Sequence, residues 1–215
     1  MSTVWLVDTL GVMNRDVAAS KAIAMGRDAE ATKRRLLDAA TREFAAYGIA
    51  GGRVDRIAAE ARSNKAQIYH YFGSKDGLFD AVFDAMCRET VDAVPIDPDD
   101  LPEYAGRLHD SYVERPWVQR LATWYHLERA GGGALLPVVL DSNAAKVRAV
   151  AEAQEAGRLP TRFPPAVLLG LVLHLSGFWS SNVPEYDAVV SDGSAASAAH
   201  RREVVVAAVA ALLRP

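Results

Sequence analysis

The sequence predicts an all-α chain of about nine helices, and three observations predict it. Apolar residues recur three and four apart rather than alternately, so they line single faces of helices and not the sides of strands. Gly, Pro, Asn and Ser stand where those runs stop and start. No stretch alternates in the manner of a strand, and no segment repeats. With 215 residues, 50% of them apolar and 24% charged, the chain carries enough core for one or two domains.

Residues 1–28 read as an N-terminal extension, mobile or loosely packed. Residues 4–12 are apolar except for Asp8, and no basic run precedes them, which argues against a secretory signal. The helical pattern proper begins near Glu30, shortly after Met25. Leu36, Ala39, Ala40 and Phe44 line this first helix and Gly48 ends it. Lys33, Arg34 and Arg35 at its start are candidates for phosphate contact or, equally, a solvated charge cluster.

The next pattern, residues 57–79, reads IAAEARSNKAQIYHYFGSKDGLF. Ile57, Ala58 and Ala61 share one face of a helix from about Val54 to Ala61, a narrow face suited to close packing. Arg62 and Ser63 interrupt it. Asn64 is a good N-cap for a second helix running from Lys65 to Phe72, because its side-chain oxygen can accept from free backbone N–H groups. Ile68 and Phe72 turn inward, leaving Lys65, Ala66, Gln67, Tyr69, His70 and Tyr71 on the outward arc. Such an arc suits a major groove: Lys reaches guanine O6/N7, Gln pairs with adenine N6/N7, and Ala meets a thymine methyl. Tyr69, His70 and Tyr71 are better placed for phosphate oxygens. Gly73 closes the helix, and Ser74 caps another beginning at Lys75, whose N-terminus favours an anion. For any single aromatic here, core packing is the simpler account; the joint pattern favours a helix-turn-helix.

On these residues the segment from Thr32 to Val82 resembles the N-terminal DNA-binding domain of the TetR family of transcriptional regulators. The matching positions are Leu36, Ala39, Ala40, Phe44, Gly48, Val54, Ile57, Ala58, Lys65, Ile68, Tyr69, His70, Tyr71, Phe72, Ser74, Lys75 and Leu78. The resemblance implies a three-helix DNA-binding domain over 29–94, including the linking helix from 75, and a helical effector-binding and dimerisation domain over 95–215. It further implies a cytoplasmic homodimer on double-stranded operator DNA, usually a repressor released by a small-molecule effector, with no enzymatic activity and no cofactor. Its DNA-binding positions carry over to Arg53, Asn64, Lys65, Ala66, Gln67, Tyr69, His70, Tyr71 and Lys75. Two departures stand out. The usual turn glycine is Arg62, followed by Ser63 in place of an apolar residue, and the hydroxyl that commonly opens the second helix is replaced by Gly52 and Arg53. An Arg in the turn holds φ > 0 only at a cost.

A formal charge of −3 excludes wholesale coating of nucleic acid, but from Lys33 to Lys75 nine Lys/Arg face four Asp/Glu, a local excess of +5. A basic patch on an acidic chain is the footprint of a local, salt-sensitive DNA contact. Only five of the 24 basic residues are Lys, so abundance of Arg by itself means little. The single Cys87 has no partner for a disulfide or a zinc site; it reads as a small apolar residue, with redox sensing as the alternative. The five His show no metal spacing.

A Pro- and Asp-rich connection follows Val94, and further helices are expected over 101–114, 116–129, 136–156, 164–181 and 195–213. Gly131, Gly132 and Gly133 form a break without the G-K-[ST] of a phosphate loop. Trp117 and Trp124, seven apart, share a face with Leu121 and Tyr125 beside them; with Tyr112, His174 and Phe178 they are the candidate wall of a pocket for a planar, largely apolar ligand. Core packing would account for the same stripe. Residues 167–179 are the most apolar run, short for a membrane span and interrupted by His174 and Ser176. Burial against a second subunit explains it better, which nominates Leu168, Leu171, Val172, Leu175, Trp179, Val205, Val209 and Leu212 as the dimer interface. The alternative function is a small all-α enzyme using a pocket around His126 and His174, although no G-x-S-x-G, dinucleotide fingerprint or paired catalytic carboxylates support it.

Overall fold

The computed structural model describes residues 5–129, 135–181 and 198–214, with side chains described from Arg27 onward. Among the described residues there are nine α-helices and no strand: α1 (Trp5–Gly51), α2 (Val54–Glu60), α3 (Lys65–Phe72), α4 (Lys75–Ala93), α5 (Leu101–Glu114), α6 (Trp117–Arg129), α7 (Pro137–Glu155), α8 (Pro165–Gly177) and α9 (Ala198–Leu212). One turn of 3-10 helix, Pro98–Asp100, fills the Pro-rich connection before α5, its first N–H groups capped by Asp97. The helices end close to where the caps and prolines place them. The triple-glycine break, residues 1–4 of the extension and residues 195–197 of the last expected helix lie outside the described residues.

The N-terminus departs from expectation. Helix α1 starts at Trp5, so most of the stretch read as loose has helical backbone continuous with the expected first helix. The physical reason is visible in composition: residues 5–30 contain no Pro and five Ala, and Ala is the best helix former. At the other end Gly48 does break the helix, with φ 71° and ψ −175°. A side chain there would strike the Trp124 ring, so both the backbone conformation and the close approach require glycine.

Helices α1 to α4 enclose the first part of the core. Leu36, Ala39, Ala40 and Phe44 of α1 meet Ile57, Ala58, Ile68, Leu78 and Phe79, all buried, and the Phe44 and Phe79 rings pack edge to face at 5.4 Å. Gly52 explains one of the two departures from the family pattern: a Cβ at that position would lie 2.7 Å from the Phe44 ring. The core continues without interruption into the second half. There α5 lies against α8 and α9, α7 packs on α4 and α8, and α6 lies against α1. Arg202 fastens α9 to α5 by ion pairs with Glu103 at 2.5 Å and Asp110 at 2.8 Å.

Candidate nucleic-acid interface and its supports

The turn between α2 and α3 is held by local backbone bonds. The N–H groups of Arg62 and Ser63 donate to the carbonyls of Ala59 and Ala58, and Arg62 takes φ 51°, the one non-glycine residue with positive φ among those described. Left-handed geometry is thus kept without the glycine, at a steric cost of about 1–2 kcal/mol. Asn64 caps α3 as expected, accepting from the Gln67 N–H at 3.0 Å. The other unusual turn residue is put to use: the Ser63 hydroxyl donates to Gln67 Oε1 at 2.5 Å, steadying a side chain of the outward arc.

Helix α2 begins without a side-chain cap on its own first turn, and Glu43 of α1 instead anchors its N-cap residue, Arg53. The Glu43 carboxylate accepts the Arg53 N–H at 2.8 Å and three bonds from the Arg56 guanidinium. Burial pushes the Glu43 carboxyl up, but Arg56 and the Arg53 N–H outweigh it and leave it below its ordinary value. Sequence reasoning missed Glu43, although a signal existed: it is an acid on the buried arc of α1, between Ala39, Ala40 and Phe44.

The predicted contact residues fall into two groups. Arg53, Asn64, Lys65, Ala66, Tyr69 and His70 are exposed, with Tyr69 at 49%, and Gln67 is half-buried at the edge of the same arc. Lys65 forms an exposed ion pair with Asp55, a contact that DNA can exchange at little cost. Tyr71 and Lys75 are drawn inward. Tyr71 packs against the core between His70 and Phe72, and the Lys75 ammonium donates to the carbonyls of Ala50 and Gly52 at 3.2 and 3.3 Å, locking the α1–α2 turn. Arg35 is likewise occupied, its Nε on the Ala61 carbonyl at the end of α2.

Two family models match the chain, one for bacterial regulatory proteins of the tetR family over residues 36–82 and one for the tetracyclin repressor-like C-terminal domain over 100–210. The transcriptional repressor SCO4008 of Streptomyces coelicolor is 41% identical over 170 residues, 78% of this chain and 87% of that protein. The repressor NicS of Pseudomonas putida is 37% identical over 106 residues, 45% of this chain and 50% of that one. A crystal structure of the Streptomyces coelicolor regulator SCO4942 superposes with a TM-score of 0.76 at 38% identity, over 86% of this chain and 99% of that one. The chain belongs to the TetR family. It is a helix-turn-helix DNA-binding transcriptional regulator, and nothing among these matches favours the enzyme alternative.

In this TetR-family chain the aromatic residues named as one ligand wall are dispersed. Trp117 and Trp124 do share a face, but that face is turned to the DNA-binding end: Trp117 lines an open cleft of about 410 Å³ with Leu37, Val82 and Met86, and Trp124 covers Gly48. Tyr125 stacks on Phe83 at 4.4 Å and Leu121 is fully buried, so both are core. His174 is exposed, its Nδ1 2.8 Å from the Gly170 carbonyl, and Phe178 is also exposed. Of the named set, Tyr112 lines a cleft of about 230 Å³ in the C-terminal half, shared with His109 and Trp179, two residues that the sequence did not assign to a ligand. His126 and His174, the residues of the alternative enzyme pocket, are both exposed, on α6 and α8.

The nominated dimer residues also need correction. Leu168, Val172, Val205 and Val209 are buried within the single chain, where α8 and α9 meet α5, and cannot also be an outer face. Leu171, Leu175, Trp179 and Leu212 are half-buried. An apolar helix offers no polar side in its sequence to mark which face looks out. The outer stripe of α8 is Val167, Leu171, His174 and Phe178, and that of α9 includes Val204, Ala207 and Ala211. Burial pushes the Cys87 thiol up to about 11, leaving essentially no thiolate at neutral pH, which disfavours the redox alternative. Among the described residues there is no group of three or more metal-ligating side chains and no helix long and apolar enough to cross a membrane.

Proposed function

We propose that this regulator is a cytoplasmic homodimeric repressor that lays α3 of each subunit in the major groove of its operator and is released by a small-molecule effector. The observation that carries the DNA reading is the outward arc of α3, with Lys65, Ala66, Gln67, Tyr69 and His70 presented on a frame whose two neighbouring turns are fixed by Glu43, Lys75 and Ser63. Rigid support is what base readout needs, since a loosely held side chain discriminates poorly. Lys65 and Gln67 read bases and Tyr69 and His70 touch phosphates. Repression is supported by the relatives SCO4008 and NicS, both named as repressors.

Release requires a mechanical link, and α6 supplies one. Arg120 donates to the Ala45 carbonyl at 2.9 Å, Glu128 accepts the N–H groups of Ile49 and Ala50 at 2.8 and 2.9 Å, and Arg129 pairs with Asp80 of α4 at 2.6 Å. A tilt of α6 therefore moves both α1 and α4. The test is binding of the purified protein to its own promoter and to random DNA across a salt series. Salt-sensitive preference for the promoter is expected, and Gln67→Ala should change that preference at one base pair by about 1–3 kcal/mol. Equal affinity for the two DNAs at every salt concentration overturns the reading.

A further inference from the structure

Gln67 does not stand free on the outward arc of α3. The Ser63 hydroxyl, four residues earlier, donates to its Oε1 at 2.5 Å, while the other end of the amide, Nε2, has no hydrogen-bond partner among the described residues. Ser63 is itself held in place. Its N–H donates to the Ala58 carbonyl at 2.9 Å, the preceding Arg62 is fixed at φ 51°, and the following Asn64 accepts the Gln67 N–H at 3.0 Å. Backbone and side chain of Gln67 are therefore tied to one turn. An apolar residue at position 63 has no donor to give.

We propose that Ser63 is a positioning residue that turns the Gln67 amide nitrogen toward the groove and so makes Gln67 a reader of guanine rather than adenine. An unrestrained Gln pairs with adenine through both ends, Oε1 accepting from N6 and Nε2 donating to N7. In this chain adenine N6 must compete with Ser63 for the oxygen. Nε2 keeps its two N–H donors, and donors need acceptors: guanine presents O6 and N7 side by side, adenine sets a donor beside its N7, and cytosine shows its N4 donor. Thymine offers O4 alone, between its methyl group and the paired adenine.

The neighbouring positions carry the same polarity. Helix α3 has no Asp or Glu, and Lys65 brings an ammonium whose exposed pairing with Asp55 is easily exchanged. With the Gln67 oxygen turned back, the polar groups that the first turn of α3 offers to bases are donors. Holding a Gln side chain also removes rotamer freedom before DNA arrives, which sharpens discrimination at the base it meets. The assignment rests on the reading of α3 as the helix that enters the major groove.

The test is selection of binding sites from random DNA by the full-length protein, followed by affinities for the selected site with each base pair in turn at the position where Gln67→Ala loses discrimination. Expected in the wild type is guanine at that position, favoured over adenine by about tenfold. Ser63→Ala should lower this ratio by about tenfold while leaving affinity for random DNA unchanged, and Ser63→Thr, which keeps the hydroxyl, should retain guanine. A base other than guanine in the wild type overturns the orientation of the amide. The wild-type ratio in Ser63→Ala overturns the role of Ser63. Equal losses on selected and random DNA in Ser63→Ala, with Ser63→Thr no better, show that Ser63 supports only the turn and also overturn it. If Gln67→Ala loses discrimination at no position, the proposal fails and the regulator reading stands. If the wild type selects no sequence at all, the regulator reading fails and takes the proposal with it.

Discussion

Arg62 holds a left-handed backbone that its Cβ opposes, and the neighbouring hydrogen bonds keep it there. Since its side chain is exposed, Arg62→Gly removes the strain without opening a cavity. Thermal unfolding of this variant should show a gain of about 1 kcal/mol. A lower Tm would mean that the guanidinium contributes more than the strain costs. Glu43 behaves oppositely: it is buried among apolar neighbours and tolerated because Arg56 and the Arg53 N–H meet its charge. Its folded-state carboxyl lies below the ordinary 4.5, so the stabilisation is fully present above that pH and is lost as pH falls through the folded value. Glu43→Gln should therefore be less stable at pH 7, and the gap to wild type should close on acidification below about pH 4.5. Parallel Tm curves for the two proteins from pH 7 to pH 3 would exclude this role.

Individual helices were legible where their signals are local. Asn64, Gly73 and Ser74 delimit α3 and α4 through bonds spanning two to four residues, so the sequence alone places those ends. Contacts between distant helices were not legible. Nothing near Glu128 announces that its carboxylate caps a turn some eighty residues earlier, nor that the Trp124 ring demands Gly48. The aromatic stripe of α6 was legible as a stripe but not in what it meets, because periodicity tells which residues share a face and not what that face packs against. Glu128→Ala leaves two backbone N–H groups without their charged acceptor. The expected result is a destabilisation of about 1–3 kcal/mol, together with weaker promoter binding at unchanged helical content. Glu128→Gln should recover part of it, since the amide still accepts. Wild-type promoter affinity in the alanine variant would show that α6 does not hold the DNA-binding end in its working position.

At the scale of the whole molecule the question is what covers the outer stripe of α8 and α9. Val167, Phe178 and Val204 are each at least 40% exposed, and they lie beside Leu171, Ala207 and Ala211 on two adjacent helices whose opposite faces are already buried against α5. A contiguous apolar face of this kind is unusual for a monomer and suits an isologous contact with a second copy. On the homodimer proposed above, Val204→Asp places a carboxylate from each subunit in the contact, where the charges repel and both lose water. The variant should fold, because Val204 is not part of the core, and light scattering should report half the wild-type mass. DNA binding provides the more discriminating readout. A dimer grips two half-sites, so halving it removes about half of the phosphate contacts, and the slope of log affinity against log salt should fall to roughly half its wild-type value. If the variant is monomeric and the slope is unchanged, one head binds DNA as well as two and the paired-groove geometry is wrong. If it remains dimeric with an unchanged slope, the subunits meet through another face.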